Sequence, residues 1–281
     1  MLVMVIWGAT PVATRLATDG LEPLVVAVLR TVLAGAVVLP LIAFRGPTLP
    51  RRRRARGLLA ISAVTGFVLF PVVYTIGQER TSAMHGSMIL AALPVITGLY
   101  AALVTRRRPG SWWLAGCAIA LAGEAVIVTV RTGAGAEGAT LVGDLLVLAS
   151  ALAVAGGYVA GAMLLSLDFS SAATTTWGVL LGAGALLPLA LVLLVRDGVP
   201  EADATAWAAV VFLAVVTSIF GYVGWYWALA RGGIERIAPL QFLLPVSGLA
   251  LAALVLDERL TVPLAIGAVL VIGGVTIARR A

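Results

Sequence analysis

Apolar runs of about 20 residues follow one another almost from end to end of this 281-residue sequence. A helix needs about 20 apolar residues to cross the hydrocarbon core of a bilayer. Because lipid offers no partner to a free backbone group, such runs must be helical. The composition agrees, since 61% of the residues are hydrophobic and 11% are charged, whereas a soluble domain is about a quarter charged. The sequence therefore predicts an all-α integral membrane protein.

Charged residues and clusters of glycine and proline divide the sequence into ten predicted transmembrane helices. These helices cover residues 2–18, 23–44, 57–77, 82–104, 112–130, 141–165, 172–195, 205–229, 234–256 and 262–279. Most of them are long enough to cross a bilayer at a rise of about 1.5 Å per residue. The loops between them are too short to form a second, soluble domain.

The arginines predict how the helices are oriented, because basic residues in short loops remain on the cytoplasmic side. With the amino terminus inside, the cytoplasmic loops hold thirteen arginines, namely Arg45, Arg51 to Arg54, Arg56, Arg106 to Arg108, Arg231, Arg236, Arg279 and Arg280. The opposite side holds five, namely Arg15, Arg80, Arg131, Arg196 and Arg259. We therefore expect a multi-pass protein of a bacterial-type inner membrane, with both termini in the cytoplasm.

The sequence also contains an internal repeat. A shift of 151 residues, without a gap, places Pro94 on Pro245 and Gly116 on Gly267, and it predicts repeats at 1–131 and 140–281. Each predicted repeat has five helices, an odd number, so the second repeat enters the membrane inverted relative to the first. Inverted repeats are typical of secondary transporters, in which two halves change conformation around a site near the bilayer midplane.

Several other classes of function are disfavoured by the sequence. The net charge of +6 comes from short loops and not from one basic face, so we expect no nucleic-acid partner. The chain has one cysteine, Cys117, and one histidine, His85, which argues against a metal site, and we expect no cofactor. No P-loop pattern occurs. The ionisable residues inside the helices are single and scattered, which disfavours a membrane enzyme. We therefore predict that the protein is not an enzyme.

The residues resemble the EamA-type branch of the drug/metabolite transporter (DMT) superfamily. The motifs that carry this resemblance are Trp7-Gly8, Pro23, Leu29-Arg30, Gly143-Asp144, Pro245-Val246 with Gly248, Leu256 to Thr261, Gly267 and Gly273 to Val275. Combined with ten helices in two halves, they cover nearly the whole chain. The acidic loop of the family pattern is present only once, because Arg107 stands where the second half has Glu258.

The resemblance implies a basket of helices around a central cavity lined by the first four helices of each half. Family members export amino acids, other metabolites or drugs. We therefore expect a secondary transporter that exports a small metabolite, such as an amino acid or a related compound, by alternating access. A multidrug or cation efflux carrier of the same fold and a passive facilitator are the alternatives. The expected partners are a small-molecule substrate and the lipid bilayer, with the chain acting as a monomer or a homodimer.

Polar side chains within membrane helices are costly, so they are the first candidates for function. Arg30 could bind a substrate carboxylate, or it could extend to the outer surface and anchor its helix. His85 could hydrogen-bond the substrate or couple protons to transport, or it could cap the fourth helix. Gln241 could bind polar groups of the substrate, or it could form an interhelical hydrogen bond. We predict that all three contribute to the substrate site.

Three aromatic residues are also assigned to the substrate site. Tyr222 and Tyr226 are four residues apart and share one face of a helix. They could stack on a flat or cationic substrate, although tyrosine and tryptophan are also common at membrane interfaces. Trp7 belongs to the family motif of the first helix, which the resemblance places at the cavity.

Two further features could serve the transport cycle. Glu124, in the fifth predicted helix, could carry a proton, or it could form a structural hydrogen bond with a neighbouring helix. Pro94 and Pro245 occupy equivalent positions in the fourth and ninth predicted helices, and each can introduce a kink. We predict that these two prolines allow gating, while the alternative is the ordinary tolerance of proline in membrane helices.

Overall fold

The computed structural model describes residues 2–81, 89–132, 140–255 and 261–280. It is 85% helical, and no strand occurs in the described residues. The prediction of an all-α fold is therefore confirmed.

The helices follow the apolar runs. In chain order the α-helices are α1 (Leu2–Gly8), α2 (Thr10–Thr18), α3 (Pro23–Arg45), α4 (Arg53–Val64), α5 (Phe70–Gln78), α6 (Leu93–Thr105), α7 (Ser111–Thr132), α8 (Leu141–Leu165), α9 (Ser171–Asp197), α10 (Ala204–Val211), α11 (Tyr222–Ile237), α12 (Leu243–Val255) and α13 (Val262–Ala278). Two π-helical segments, Thr65–Leu69 and Phe212–Gly221, join α4 to α5 and α10 to α11. A 3₁₀ segment, Ala238–Phe242, joins α11 to α12.

Local sequence signals explain where several of these helices begin. The Ser170 hydroxyl accepts a hydrogen bond from the Ala173 amide at 3.1 Å and caps α9. The Asp203 carboxylate does the same for α10, accepting from the Ala206 amide at 2.8 Å. A side-chain oxygen at this position satisfies an amide that has no partner within the helix. α3 begins at Pro23, where the missing N–H of proline costs no helical hydrogen bond.

Six described helical stretches are long and apolar enough to cross a bilayer, namely Pro23–Ile42, Arg53–Gln78, Ser111–Val130, Leu141–Leu165, Ser171–Asp197 and Ala204–Gly248. Shorter apolar helices occur at Leu2–Thr18, Leu93–Thr105 and Val262–Ala278. This is the pattern of a multi-pass membrane protein.

The number of ten spans remains a prediction. The stretch from 204 to 248 is one continuous helical run by length and composition, although the sequence predicts two helices there, at 205–229 and 234–256. Within it Gly233 has φ 71° and ψ 157°, a conformation that is open to glycine and strained for other residues. The regular helix is therefore interrupted close to the predicted division.

The chain divides into two compact units. One consists of Met1–Ala9, Ile76–Ala155 and Gly232–Ala281, and we call it the glycine unit. The other consists of Thr10–Thr75 and Gly156–Arg231, and we call it the aromatic unit. Each unit takes segments from both predicted repeats, so the packing units and the sequence repeats are different divisions of the chain.

The glycine unit is built on the close approach of α7 and α13. A Cβ atom at Gly116 would overlap the backbone of Gly274 and Ala278, and one at Gly123 would lie 2.7 Å from the Gly267 carbonyl oxygen. Only glycine at these positions lets the two backbones come so close. Small residues at helix contacts are typical of membrane proteins, where van der Waals packing drives association.

The aromatic unit packs α3 against α9 and fills its interior with larger side chains. A Cβ atom at Gly35 would overlap Ala183, and one at Gly182 would lie 2.6 Å from the Phe67 Cβ. Phe67 is itself buried and lies in the first π segment. This arrangement brings α3, α9 and the first π segment together around the residues of the candidate site.

Candidate substrate site

The two π segments lie at equivalent positions of the predicted repeat. A shift of 151 residues moves 65–69 to 216–220, which falls inside the second π segment. A π turn is wider than an α turn, is rare, and is frequently found at functional sites. Both segments belong to the aromatic unit, and the candidate site is built around them.

The second π segment presents two buried hydroxyls to Arg30. The Thr217 and Ser218 hydroxyls both donate to the Leu213 carbonyl oxygen, at 2.6 and 2.9 Å. Because their protons are used in these bonds, each of these oxygens acts toward Arg30 as an acceptor. Arg30 Nη2 donates to them, at 3.1 Å to Thr217 Oγ1 and 3.4 Å to Ser218 Oγ. We call Arg30, Thr217 and Ser218 the arginine cluster.

Arg30 has neutral neighbours. In the described part of the chain no carboxylate lies within ion-pair distance of it, whereas Arg196 pairs with Asp197 at 2.7 Å. Its two hydroxyl partners, Thr217 and Ser218, are almost completely buried. A guanidinium has five N–H donors in a planar fork, and two hydroxyl contacts leave most of this capacity available for another acceptor.

An aromatic cluster adjoins Arg30. The Tyr222 ring lies 4.4 Å from that of Phe67, 6.0 Å from Tyr158 and 6.1 Å from Tyr226, measured between ring centroids. Trp225 completes the cluster, 5.4 Å from Tyr158. All five side chains are buried, and Arg30 is close enough to Tyr222 and Tyr158 to interact with them electrostatically.

Hydrogen bonds hold the aromatic cluster to the first π segment and to α4. The Tyr222 hydroxyl donates to the Gly66 carbonyl oxygen at 3.4 Å. The Tyr226 hydroxyl lies 2.8 Å from Ser62 Oγ. The Phe67 carbonyl oxygen, in the same π segment, accepts a hydrogen bond from the Thr31 hydroxyl of α3 at 3.3 Å. The π segment therefore supplies backbone acceptors to side chains from α3 and α11.

The structure brings together three of the six residues assigned to the substrate site. Arg30, Tyr222 and Tyr226 lie in the aromatic unit, as neighbours in one packed group. The sequence analysis missed Thr217, Ser218, Phe67, Tyr158 and Trp225 as members of this group. Trp225 directly precedes Tyr226, and Ser218 lies four residues before Tyr222 in the same helical run, so the sequence spacing could have indicated these positions. Phe67 and Tyr158 become neighbours of Tyr222 only through folding.

The remaining assigned residues lie elsewhere. Trp7 is half-buried in α1, which packs against α12 in the glycine unit. Gln241 lies in the 3₁₀ segment of the same unit and is only 2% exposed. Neither its amide nitrogen nor its amide oxygen forms a hydrogen bond with a described residue, so the predicted interhelical bond is not seen there. His85 lies outside the described residues.

Pro94 and Pro245 both lie in the first turn of a helix that follows an irregular segment. Ala92, just before α6, has a ψ of −9°, and the 3₁₀ segment ends immediately before α12. Proline is tolerated in the first turn because no helical donor is lost there. The predicted kinks thus coincide with departures from α-helical geometry, and gating at these positions remains a prediction.

No group of three His, Cys, Asp or Glu side chains that could hold a metal ion occurs among the described residues. The two apolar grooves of about 320 and 260 Å³ also contain none of the assigned residues. They are lined by aliphatic side chains of α13 in one case, and of α3 with the α10 region in the other. The arginine and aromatic clusters are therefore the best-defined polar feature of the described fold.

Comparison with known proteins identifies the class of protein to which this chain belongs. A crystal structure of a protein that shares 20% sequence identity superimposes with a TM-score of 0.81, covering 99% of this chain and 95% of the other. This likeness shows a shared fold, whereas the class of molecule, a transporter and not an enzyme, is shown by the family and the relatives that follow. The EamA-like transporter family model matches residues 1–129 and again 141–280. The chain belongs to this family.

Several relatives extend over nearly the full length of the chain. The "Probable amino-acid metabolite efflux pump" of Escherichia coli (strain K12) is 31% identical, covering 99% of this chain and 92% of the relative. The "Probable terminal-alkyne amino-acid exporter" of Streptantibioticus cattleyicolor is 30% identical, covering 100% and 92%. The "Uncharacterized transporter YdeK" of Bacillus subtilis (strain 168) is 29% identical, covering 99% and 94%. The chain is thus similar to small-molecule exporters of this family.

Proposed function

We propose that this protein exports an amino acid, or a related metabolite that carries a carboxylate, by alternating access, and that Arg30 binds the carboxylate. The observation that carries the proposal is the position of the half-buried Arg30 among neutral groups of the aromatic unit, within an apolar helix. A charge within a membrane helix is costly unless it has a partner. A substrate carboxylate would supply that partner.

The arginine cluster favours a carboxylate over a neutral ligand. Thr217 and Ser218 hold one guanidinium nitrogen in place, which orients the rest of the planar fork. A fork of this kind can donate two parallel hydrogen bonds to a carboxylate, an arrangement that lysine cannot reproduce. Hydrogen bonds to charged groups are worth about 1.5–3 kcal/mol each.

The aromatic cluster supports the amino-acid proposal in a second way. An amino acid carries an ammonium group beside its carboxylate, and tyrosine and tryptophan faces attract such cations. Tyr222 and Tyr158 are the ring neighbours of Arg30. A drug that carries only positive charge would be repelled by Arg30, so this arrangement disfavours the cation-efflux alternative.

Relatives and charge distribution support the direction and location that we propose. One relative is named as an amino-acid metabolite efflux pump and another as a terminal-alkyne amino-acid exporter. The thirteen arginines assigned above to cytoplasmic loops support a topology in which both termini lie on the cytoplasmic side of an inner-type membrane. In this proposal the described structure is a closed conformation, because the aromatic side chains pack directly against one another, and the substrate enters when these contacts separate.

The experiment that tests the substrate class uses the purified protein in detergent. Each of the twenty amino acids, and each corresponding methyl ester, is added separately and the melting temperature is measured. A ligand that binds the folded state raises the melting temperature. We expect at least one amino acid to raise it and its ester, which lacks the carboxylate, to have no effect.

Arg30→Gln should weaken binding of that amino acid by roughly 10- to 100-fold, because it removes a charged hydrogen-bond donor. Arg196→Gln is the matched control, since Arg196 is exposed and paired with Asp197. Equal binding of the acid and its ester, or full binding by Arg30→Gln, would contradict the proposed role.

In liposomes, saturable flux with trans-stimulation is expected of a carrier, while strictly linear flux would favour a passive facilitator.

A further inference from the structure

Glu124 is a buried residue, and one oxygen of its carboxyl group forms no hydrogen bond with a described residue. It lies in α7 of the glycine unit, and its side chain is 5% exposed. One of its oxygens, Oε2, is fully enclosed and accepts no hydrogen bond from any described residue. The structural bond that the sequence analysis considered for Glu124 is therefore not seen in the described part of the chain.

Among the described residues, the elements that pack against α7 offer no positive charge to Glu124. The 3₁₀ segment and α13 contact α7, and neither segment contains a titratable residue. α6 approaches through Gly98, which lies against the Trp113 ring, and the one titratable residue of α6 is Tyr100. α7 itself carries Cys117, which is buried, and Arg131 near its carboxyl end.

An ionised carboxylate in such surroundings would lose its hydration without gaining a partner, which is strongly unfavourable. The neutral acid is tolerated far better, because it carries no net charge into the apolar interior. In this conformation the carboxyl group of Glu124 is therefore expected to hold a proton. To release that proton, the group must reach water or polar partners in another conformation.

Two neutral polar side chains that could become hydrogen-bond partners of Glu124 lie with it in the glycine unit. Among its described residues, Thr97 and Gln241 are the other two whose buried polar atoms form no hydrogen bond. Thr97 lies on α6 and Gln241 in the 3₁₀ segment, and the 3₁₀ segment packs against both α6 and α7. A hydroxyl and an amide can each donate to a carboxylate, so a rearrangement of these elements could stabilise ionised Glu124.

We propose that Glu124 is a proton-binding site whose proton is exchanged once in each transport cycle. This inference rests on the proposed export function and adds the ion that drives it. For export against a gradient, the proton must enter as the substrate leaves. The O–H bond of Glu124 forms with a proton taken from water on the outer side, and it breaks when that proton passes to water on the cytoplasmic side.

The first test measures transport in liposomes that contain the purified protein and are loaded with a radiolabelled mixture of the twenty amino acids. Acidifying the outside should accelerate efflux severalfold for the wild type. Glu124→Gln should show the same slow efflux with and without the gradient, because it has no group to protonate. Glu201→Gln, at an exposed position, is the matched control and should respond as the wild type does. Equal acceleration of Glu124→Gln and the wild type would overturn the proposal.

The second test does not depend on the substrate. A protonated carboxylic acid has an infrared carbonyl band that a carboxylate lacks. We expect this band at neutral pH in the wild type and not in Glu124→Gln, and its presence in both would overturn the proposal. If Glu124→Gln does not fold, Glu124→Asp should shift the band, and an unshifted band counts against the proposal. A wild type that transports none of the amino acids refutes the export function, while the infrared result still decides whether Glu124 holds a proton.

Discussion

The two compact units differ in how completely their buried polar side chains are hydrogen-bonded. In the aromatic unit, the Thr31, Ser62, Thr217 and Ser218 hydroxyls form hydrogen bonds inside the unit, to Phe67, Tyr226 and Leu213, and only the Thr175 hydroxyl is buried without a bond to a described residue. In the glycine unit, Thr97, Glu124 and Gln241 have buried polar atoms without a hydrogen bond to any described residue. A hydrogen-bonded side chain is held in one orientation, whereas a buried polar atom without a bond gains a partner only when the elements around it rearrange. The first unit is thus suited to hold a ligand in place, and the second to change its state.

The largest effect is expected where the packing of the aromatic unit is tightest. A Cβ atom at Gly161 would overlap the ring of Tyr226, which is fully buried and hydrogen-bonded to Ser62. Gly161→Ala should therefore destabilise the protein by about 1–3 kcal/mol, the usual cost of overpacking, and lower its melting temperature in detergent. Gly184→Ala is the control, because no atom outside its own helix lies within 4 Å of that position. Similar melting temperatures for the two variants would show that the Tyr226 ring can move freely.

A smaller effect is expected from removing one hydrogen bond in the same unit. Tyr226→Phe deletes the hydroxyl that lies 2.8 Å from Ser62 Oγ and leaves a buried serine without that partner, which costs about 1 kcal/mol. The melting temperature should fall by a few degrees. Tyr100→Phe is the matched substitution in the glycine unit, where the hydroxyl is not bonded to a described residue, and it should leave the melting temperature unchanged. A larger fall for Tyr100→Phe would reverse the comparison between the units.

The smallest effect on stability is expected at Gln241. Gln241→Met replaces an amide without a described hydrogen-bond partner by an apolar chain of similar length. The free energy of unfolding should therefore stay the same or rise by about 1 kcal/mol, and the melting temperature should not fall. If Gln241 also binds substrate, amino-acid efflux from liposomes should fall even though the protein remains folded. A loss of stability as large as that of Tyr226→Phe would mean that the amide has a partner, and the contrast between the units would be lost at this residue.

Much of the fold could be predicted from the sequence because the bilayer imposes a simple rule. Apolar runs bounded by arginine or by glycine and proline become helices, and the observed bounds of α3, α8 and α9 lie within two residues of those predicted. Arg30 could also be identified, since a charge inside such a run is rare. The spacing of Tyr222 and Tyr226 indicated that they share a helix face, and their rings do lie together.

Other features could not be predicted because they depend on tertiary packing. The π segments leave no periodic signal, since the sequence around Thr65 and Thr217 is apolar with or without a widened turn. Tyr158 is 64 residues away from Tyr222 in the chain (222 minus 158) and becomes its neighbour only in the folded unit. The sequence likewise identified Glu124 and Gln241 as polar residues within helices, but whether they have partners depends on the groups that surround them.

The paired π segments also bear on the history of the chain. A π segment differs from an α-helix by accommodating an additional residue in a turn, so one insertion into an ordinary helix is enough to create it. The two segments occupy the same register in the predicted repeats, at 65–69 and 212–221. If the repeats arose by duplication of one gene, a single insertion before the duplication accounts for both. Arg30, which the same shift of 151 residues places on Leu181, would then mark a later step at which one copy acquired its charge and the two halves ceased to be interchangeable.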